Sequence, residues 1–312
     1  MAALGAIAMV LPTRAFARPK FQNTSIFSTF NYHFLHNLLP SQAHGKNPTR
    51  VRNSTGVCNF EEGENSGINV IRSPNLVALE YADLNLPHIC EEVGHVRIRQ
   101  HVNPLTAAYS VPAEPPDWNA VYKDCSLPLT VDVGCGSGRF LLWLAKKNID
   151  SRNYLGLEIR EKLVKRANFW VKEIGISNAH FIFANATVSF QQLVSSYPGP
   201  LVFVSVLCPD PYFKKKHHKR RVLQKALVDS IVNNLTSTGQ VFIQSDVLEV
   251  ADDMRSQFDS ASNLIHVDAI NPNIICDHDG WIVSNPMEIR TEREIHAELE
   301  GAKIYRRMYQ KT

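Results

Sequence analysis

The stretch Thr130-Val-Asp-Val-Gly-Cys-Gly-Ser-Gly-Arg-Phe140 decides the fold of this chain. Its apolar start predicts a short buried strand, and Gly134, Gly136 and Gly138 predict a tight turn that leads into a helix. Glycine tolerates positive φ and lets a ligand approach the backbone, and a turn between a parallel strand and a helix N-terminus is a common cofactor site. The stretch therefore predicts a cofactor-binding turn, although a tight turn without a ligand would show the same pattern.

Beyond this stretch, short apolar runs alternate with amphipathic segments. In residues 160–174 the apolar side chains recur at helical spacing. Alternation of this kind predicts an α/β fold, with a doubly wound, mostly parallel sheet, helices on both faces and right-handed crossovers. The predicted strands are Leu129–Val133, Tyr154–Leu157, His180–Phe183, Leu201–Val206, Gln240–Gln244, Leu264–Val267 and Lys303–Met308. The predicted helices are Arg139–Lys147, Arg160–Ile174, His217–Leu235 and Val250–Phe258.

The overall composition excludes several classes of protein. The 312 residues carry a net charge of only +3, so affinity for nucleic acid would have to come from a local basic patch. No apolar run is long enough to span a membrane. The six cysteines form no C-x-x-C pair, which argues against a zinc site, and their wide scatter suggests reduced thiols.

The N-terminal sixty residues contain no Asp or Glu but several Lys and Arg, with many Ser, Thr and Asn. This composition is typical of an organellar transit peptide, with a plastid favoured over a mitochondrion, and a disordered tail without a targeting role is the alternative. We therefore expect three segments. Residues 1–60 form the transit peptide, residues 61–120 form a polar extension that contains Arg97 and Arg99, and residues 121–312 form the main domain.

Three side chains indicate which cofactor the glycine turn would bind. Glu158 ends the second strand, twenty residues after the last glycine of the turn, where a carboxylate can accept from both ribose hydroxyls. Asp132 lies inside the first strand, where it would repel a pyrophosphate but suits a cofactor with an ammonium group. Asn185-Ala186 follows the third strand, where an amide could read an adenine edge. Together with the G-x-G-x-G spacing, these residues favour a methyltransferase over an NAD-dependent oxidoreductase.

The fourth strand leads into the stretch Cys208-Pro-Asp-Pro-Tyr-Phe-Lys-Lys-Lys-His-His-Lys-Arg-Arg221. Asp210 stands between two prolines that restrict its backbone, at the strand end where open α/β sheets bind ligands. A charge run is often a solvated helix face or a nuclear import signal. Because this run adjoins the predicted cofactor cleft, we interpret it as a nucleic-acid contact. Its permanent cations are Lys214, Lys215, Lys216, Lys219, Arg220 and Arg221.

With these motifs the chain resembles the class I, S-adenosylmethionine-dependent tRNA (guanine-N7)-methyltransferases, which modify a guanine of the tRNA variable loop (position 46 in tRNA numbering). The resemblance covers roughly residues 96–309. Its most specific part is Pro209-Asp210-Pro211 with the basic run behind it. Further matches are Arg97-x-Arg99 with Asn103-Pro104-Leu105, then Ser245-Asp246, and Thr291-x-x-Glu294 followed by Gly301.

The resemblance implies S-adenosylmethionine as cofactor and tRNA as substrate. It implies that Asp132, the turn glycines, Glu158 and Asn185 belong to the cofactor site. The arm near Arg97 and Arg99 would reach tRNA or cover the cofactor. Eukaryotic cytosolic members work with a β-propeller partner and bacterial members act alone, so a partner is compatible with the sequence but not required. The residues expected to line the guanine or cofactor side of the cleft are Asp210, Asp246, Thr291 and Glu294.

The expected chemistry is methyl transfer to guanine N7, with Asp210 as the candidate catalytic carboxylate and Asp246 as the second choice. Three departures from the family pattern are conservative: Tyr212 replaces a frequent Trp, Ser245 replaces Thr, and Asp132 is commonly Glu in bacterial members. The alternatives are a methyltransferase for small molecules or other RNA, and a non-catalytic RNA-binding subunit. The basic run beside Asp210 argues against a small-molecule enzyme, and the complete set of cofactor residues argues against loss of catalysis.

Overall fold

The computed structural model describes residues 73–86 and 102–312. The predicted transit peptide, most of the polar extension, Arg97 and Arg99 lie outside the described residues. The strands are β1 Leu129–Val133, β2 Asn153–Glu158, β3 Ala179–Phe183, β4 Leu201–Leu207, β5 Leu235–Ser245, β6 Leu264–His266 and β7 Tyr305–Lys311. The α-helices are α1 Ser73–Glu80, α2 Trp118–Val121, α3 Arg139–Lys147, α4 Glu161–Glu173, α5 Ala186–Ser195, α6 Lys225–Asn234, α7 Leu248–Asp259 and α8 Glu292–Leu299.

In the described part of the chain these strands form one sheet in the order β3-β2-β1-β4-β5-β7-β6. Strands β1 to β5 are parallel, and β7 pairs antiparallel with both β5 and β6. The chain leaves β1 toward β2 and β3 on one side and returns to β4 on the other. The strand order therefore reverses between β1 and β4, and the carboxyl ends of these strands form the crevice in which such sheets bind ligands. The predicted α/β fold is confirmed.

Helices cover both faces of the sheet because the central strands are apolar on both sides. Every residue of β1 and β2 is buried, as expected for parallel strands that lie between two helical layers. The apolar faces of α3 and α4 form one hydrophobic cluster around Trp170 and Phe181. A second cluster joins α5, α6 and α7 to the opposite face around Val131 and Val204.

Gly138 fixes how closely helix α3 approaches the sheet. Its φ is +84°, and an added Cβ would lie 2.8 Å from the Phe181 ring and 2.9 Å from the Ala167 methyl group. Both the backbone conformation and the space therefore require glycine. The last glycine of the turn is a packing residue that brings the helix N-terminus against β3.

The predicted helix His217–Leu235 is wrong in its extent. The structure has a 3₁₀-helix over Lys215–Arg220 and a separate α-helix, α6, that begins at Lys225. Between them, the Gln224 amide donates to the carbonyl oxygens of residues 218, 221 and 223, which satisfies these groups outside a helix. Strand β5 begins at Leu235, five residues before the predicted start, with a register shift against β4. Helix α5 was not among the predicted elements.

Helix α1 packs beside helix α8, near the carboxyl end of the sheet. The Glu80 carboxylate forms an ion pair with Arg290 at 2.5 Å, and the Tyr81 hydroxyl donates to the Arg290 carbonyl. Cys125, Cys135, Cys208 and Cys276 are free thiols, and no group of side chains in the described ranges could hold a metal ion. No helix within residues 73–86 and 102–312 is long and apolar enough to cross a membrane.

Candidate methyl-transfer site

Two adjoining depressions lie at the carboxyl ends of β1, β2 and β4. The first, of about 740 Å³ including its open mouth, reaches from the β2 end to the loop after β4. The second, of about 930 Å³ including its open mouth, extends from the glycine turn toward the start of α8. Gly134, Arg160 and Cys208 line both. We treat the two depressions as one cleft, with a glycine-turn half and a loop half.

The glycine turn leaves room for a ligand directly above its backbone. Gly134 and Gly136 have φ of +78° and +57°, and an added Cβ at either position would meet no atom within 4 Å. The backbone N–H of Gly134 donates to Leu157 at 2.8 Å, and that of Gly136 donates to the Glu158 carboxylate at 2.9 Å. These bonds hold the turn against the end of β2.

Glu158 is almost completely buried, with 1% of its side chain exposed. Its carboxylate accepts from the Arg160 backbone N–H at 2.9 Å and from the Arg160 guanidinium at 2.8 and 3.1 Å. Burial lowers the pKa of Arg160, but the hydrogen bonds and charge of Glu158, with the charge of Asp210, outweigh it and raise that pKa above its ordinary value. Arg160 therefore interacts with both predicted acids: it is hydrogen-bonded to Glu158, the predicted ribose acceptor, and attracted by the charge of Asp210, the predicted catalytic carboxylate.

Asp132 is buried at the floor of the glycine-turn half of the cleft. Burial raises its pKa to about 7, against the lowering effect of a 2.7 Å hydrogen bond from the Ser205 hydroxyl and with a further increase from the charge of Glu158. A cation beside this carboxylate would reverse the effect of burial and favour its ionised form. The position therefore suits the ammonium group for which the sequence proposed it.

Asn185 lines the loop half of the cleft, but its side chain is already engaged. The amide oxygen caps helix α5 through the Thr187 N–H at 3.3 Å, and the amide nitrogen donates to the carbonyls of Pro104 at 3.2 Å and Tyr109 at 3.1 Å. Asn185 thus anchors the segment 102–109 over the cleft. The nearby backbone N–H of Ala186, in the first turn of α5, needs no intrahelical acceptor and is better placed to bond an adenine edge.

The loop after β4 lies opposite this anchored segment. Cys208 and Tyr212 have φ of +47° and +45°, a strained conformation for residues other than glycine. The Tyr212 hydroxyl donates to the Val102 carbonyl at 2.5 Å, so the loop and the 102–109 segment close one side of the cleft together. Asp210 lies between the two strained residues and lines the same half of the cleft as Glu158.

The six cations after Asp210 do not share one environment. Arg221 is only 5% exposed: it donates to the Pro211 carbonyl at 2.9 Å and pairs with Glu249 at 2.6 Å and Asp253 at 3.1 Å. These hydrogen bonds give Arg221 a structural role in holding the loop in place, and its predicted contact with the substrate stays a prediction. Arg220 is partly buried and lines the cleft. The exposed members of the run are Lys214, Lys215, Lys216 and Lys219.

Glu294 was predicted to line the cleft, but it lines neither of the two depressions. It is completely buried, pairs with Arg306 at 2.5 Å and accepts from Gln244 at 3.0 Å. It also completes a capping box with Thr291, the N-cap of α8. The hydroxyl of Thr291 accepts from the Glu294 backbone N–H. Thr291 lines the glycine-turn half of the cleft, whereas Glu294 does not.

Asp246 is largely buried, and its carboxylate accepts from the Arg293 guanidinium, with the Nε atom at 3.0 Å. Arg293 rather than Asp246 lines the cleft, beside Glu292, which pairs with Arg139 at 2.7 Å. Sequence reasoning missed Arg160, Arg293 and Glu292. The spacing of Arg160, two residues after Glu158, could have indicated the first, whereas the other two depend on where α8 packs.

The residues of the cleft fit a nucleoside cofactor that carries an amino-acid group. The open space over Gly134 and Gly136 can take backbone-facing atoms of the ligand, Glu158 can accept from ribose hydroxyls, and Asp132 can hold an ammonium. The reversal of strand order places this site in the crevice that the fold reserves for ligands. The fold and the site together define a class I methyltransferase.

Comparison with known proteins shows to which family within this class the chain belongs. A family model described as "Putative methyltransferase" matches residues 126–307. A "tRNA (guanine-N(7)-)-methyltransferase" of Synechococcus sp. (strain JA-2-3B'a(2-13)) is 47% identical over 214 residues, which cover 69% of this chain and 84% of that protein. A relative of the same description from Synechocystis sp. is 42% identical over 70% of this chain and 100% of that protein. The chain belongs to the tRNA (guanine-N(7)-)-methyltransferase family and is a methyltransferase enzyme.

Among solved structures, an rRNA methylase from Streptococcus thermophilus aligns over 60% of this chain and 87% of that chain. The alignment has a TM-score of 0.38 and a sequence identity of 12%.

Proposed function

We propose that this protein transfers the methyl group of S-adenosylmethionine to N7 of a tRNA guanine, at position 46 of the variable loop. The observation that carries the proposal is the position of Asp210, which lines the cleft beside Glu158 and precedes the exposed lysines of the loop. The names of the cyanobacterial relatives support the same activity.

The cofactor would lie across both halves of the cleft, from the glycine turn to the end of β2. When bound, S-adenosylmethionine supplies an electrophilic methyl group on a positively charged sulfur. Glu158 would accept from the ribose hydroxyls in the loop half, Asp132 would hold the ammonium in the glycine-turn half, and the backbone at Gly134 and Gly136 would lie against the ligand. Arg160 would then share the Glu158 carboxylate with the ribose, since its guanidinium already donates there.

The part of the loop half beside Asp210 would hold guanine. Guanine N7 carries an in-plane lone pair, so no proton has to leave before it is methylated, and catalysis consists mainly of positioning and electrostatics. The methylated base carries a positive charge. The Asp210 carboxylate would accept from the N1–H and the exocyclic amine, which selects guanine and stabilises that charge. The exposed lysines of the loop would contact phosphates.

The test is a methyl-transfer assay with labelled S-adenosylmethionine and an unmodified tRNA transcript. We expect label in the tRNA, mapped to position 46 by reductive cleavage at N7-methylguanine, and no label in a transcript with adenine at that position. Absence of label from the wild-type transcript, with the purified chain alone and with added partner proteins, would overturn the proposal. Label with the chain alone would show that a β-propeller partner is not required.

We also propose that the protein works in a plastid. The support is the basic, acid-free composition of residues 1–60, which precede the family match at residues 126–307, together with the cyanobacterial origin of the similar proteins. The experiment is import of residues 1–60 fused to a fluorescent protein into isolated plastids and mitochondria. Import into mitochondria alone, or into neither, would contradict this assignment.

A further inference from the structure

A large apolar side chain stands exposed beside Asp210. Phe213 has 67% of its surface accessible, although phenylalanine is usually found inside proteins. It directly precedes the exposed Lys214, Lys215 and Lys216. Neither the hydrophobic core nor the reaction described above gives this side chain a role.

The backbone on the N-terminal side of Phe213 is held from two directions. Arg221, itself paired with Glu249 and Asp253, donates to the Pro211 carbonyl, and the Tyr212 hydroxyl donates to the Val102 carbonyl. The positive φ of Tyr212 turns the chain sharply just before Phe213. The exposed ring is therefore presented from an anchored loop, and an aromatic group held in this way can bind with little further loss of conformational entropy.

The surroundings of the ring favour a nucleic acid over an apolar protein surface. Proteins that bind single-stranded nucleic acid combine aromatic side chains, on which bases stack, with cations that follow the phosphates. Here three lysines follow the ring in consecutive positions, and Arg220 lines the cleft nearby. A protein partner would have to bring several acidic groups to this surface to match the same charges.

We propose that Phe213 stacks on an unpaired nucleobase next to the target guanine and so positions the guanine at Asp210. The proposal rests on the proposed function and adds a residue that contacts the substrate. In this arrangement the Phe213 ring holds a neighbouring base, Asp210 holds the guanine edge, and Lys214, Lys215 and Lys216 hold the backbone between them.

The test compares Phe213→Ala with Phe213→Trp in the full-length protein. Because stacking on one aromatic ring contributes about 1–3 kcal/mol per base, we expect Phe213→Ala to weaken tRNA binding and raise KM about tenfold. Binding of S-adenosylmethionine should stay unchanged, as should the dependence of tRNA affinity on salt, because no charge is removed. Phe213→Trp should retain wild-type affinity. The matched control is Ile149→Ala, which truncates an exposed apolar side chain between α3 and β2, at the amino-terminal end of that strand and so opposite the cleft.

A second measurement detects the stack directly. A tRNA with 2-aminopurine beside the target guanine should lose fluorescence on binding wild-type protein and retain it on binding Phe213→Ala. If Phe213→Ala binds tRNA with wild-type affinity and quenches the fluorescence as the wild type does, the proposal is overturned. The exposed ring would then be available for contact with a protein. Equal losses in the Ala and Trp variants would also overturn it, in favour of a structural role. Both readouts measure binding, so they remain distinct from a failure of methyl transfer, which would refute the proposed function instead.

Discussion

The ends of strands β1 and β2 and the loop after β4 differ in how they expose their charged groups. At β1 and β2, the carboxylates of Asp132 and Glu158 are buried and already hydrogen-bonded by Ser205, Gly136 and Arg160. In the loop after β4, the cations that follow Asp210 are mostly exposed, and Arg221 is the one that is buried among partners. Both regions lie at the carboxyl ends of strands in the same sheet.

This difference matches the size of the two ligands that we propose. A small cofactor can be enclosed, so buried carboxylates can bind it through fixed short-range contacts whose strength is increased by the low local dielectric. A tRNA cannot be enclosed, so in the proposed complex its phosphates would be contacted by exposed lysines, which act through screened, long-range attraction. In the function that we propose, burial thus separates the residues that would recognise the cofactor from those that would attract the RNA.

The largest effect that we expect concerns a residue outside both halves. Glu294→Ala would leave the buried Arg306 guanidinium with only the more distant Glu298 carboxylate, at 3.6 Å, which should destabilise the fold by about 3–5 kcal/mol. Thermal unfolding should report a melting temperature lower by roughly 10 °C. Glu300→Ala, an exposed position at the end of the same helix, should change it little. If the Glu294→Ala protein is stable and has lost only methyl transfer, Glu294 acts in the cleft and the structural assignment is wrong.

The next test separates chemistry from cofactor binding. Asp210→Ala should lower kcat by about 10²–10³-fold, because the positive charge that forms on the guanine would lose its carboxylate. The affinity for S-adenosylmethionine, measured by calorimetry, should remain close to that of the wild type. Turnover near the wild-type rate would contradict the assignment, and a parallel loss of cofactor affinity would make Asp210 a cofactor-binding residue.

The lysines of the loop should act through salt-dependent affinity. If Lys214, Lys215 and Lys216 each contact one phosphate, raising the salt from 50 to 200 mM should weaken wild-type tRNA binding on the order of 40-fold more than it weakens the triple alanine variant. Filter binding over a salt series measures this difference. Equal slopes would mean that the lysines face solvent in the complex. Lys225→Ala, an exposed lysine at the start of α6, provides the control.

The smallest effect that we expect is a pH dependence on the cofactor side. The pKa of Asp132 is raised to about 7, so below that pH its carboxyl is neutral and cannot pair with an ammonium. Cofactor affinity should therefore fall as the pH falls, by about tenfold between pH 8 and pH 6, where the ionised fraction drops from about nine-tenths to about one-tenth. Calorimetry at both pH values tests this. Asp132→Asn should bind more weakly but without the pH dependence, and a sloping profile in that variant would contradict the assignment.

Local sequence signals predicted the central part of the fold well. The glycine turn, the five parallel strands and helices α3, α4 and α7 follow from glycine spacing and apolar periodicity within single segments. The same signals overextended the helix at 217–235. Helical periodicity continues across that region. Arg221, however, is hydrogen-bonded to the Pro211 carbonyl and paired with Glu249 and Asp253. The positions of these partners depend on the folded loop and on α7.

The site residues were predictable to the extent that strand ends determine them. Asp132, Glu158 and Asp210 lie at the cleft because each is at or near the carboxyl end of a parallel strand that converges there. Asn185 also lies there, yet its amide holds the segment 102–109, a contact with residues about eighty positions earlier. A motif alone could not show which partner would occupy its hydrogen bonds.

The sequence by itself determined the class of fold, the cofactor turn, the order of the acidic residues and the basic loop, because each is a local pattern of residue types. Only the tertiary structure decided which charged groups are buried: Arg221 and Glu294 became structural, while Phe213 and the lysines before Arg220 remained exposed. The physical reason is that burial depends on the packing of elements distant in sequence. The Thr130–Phe140 stretch fixes where the cofactor turn lies, and the packing around it decides which side chains can reach a ligand.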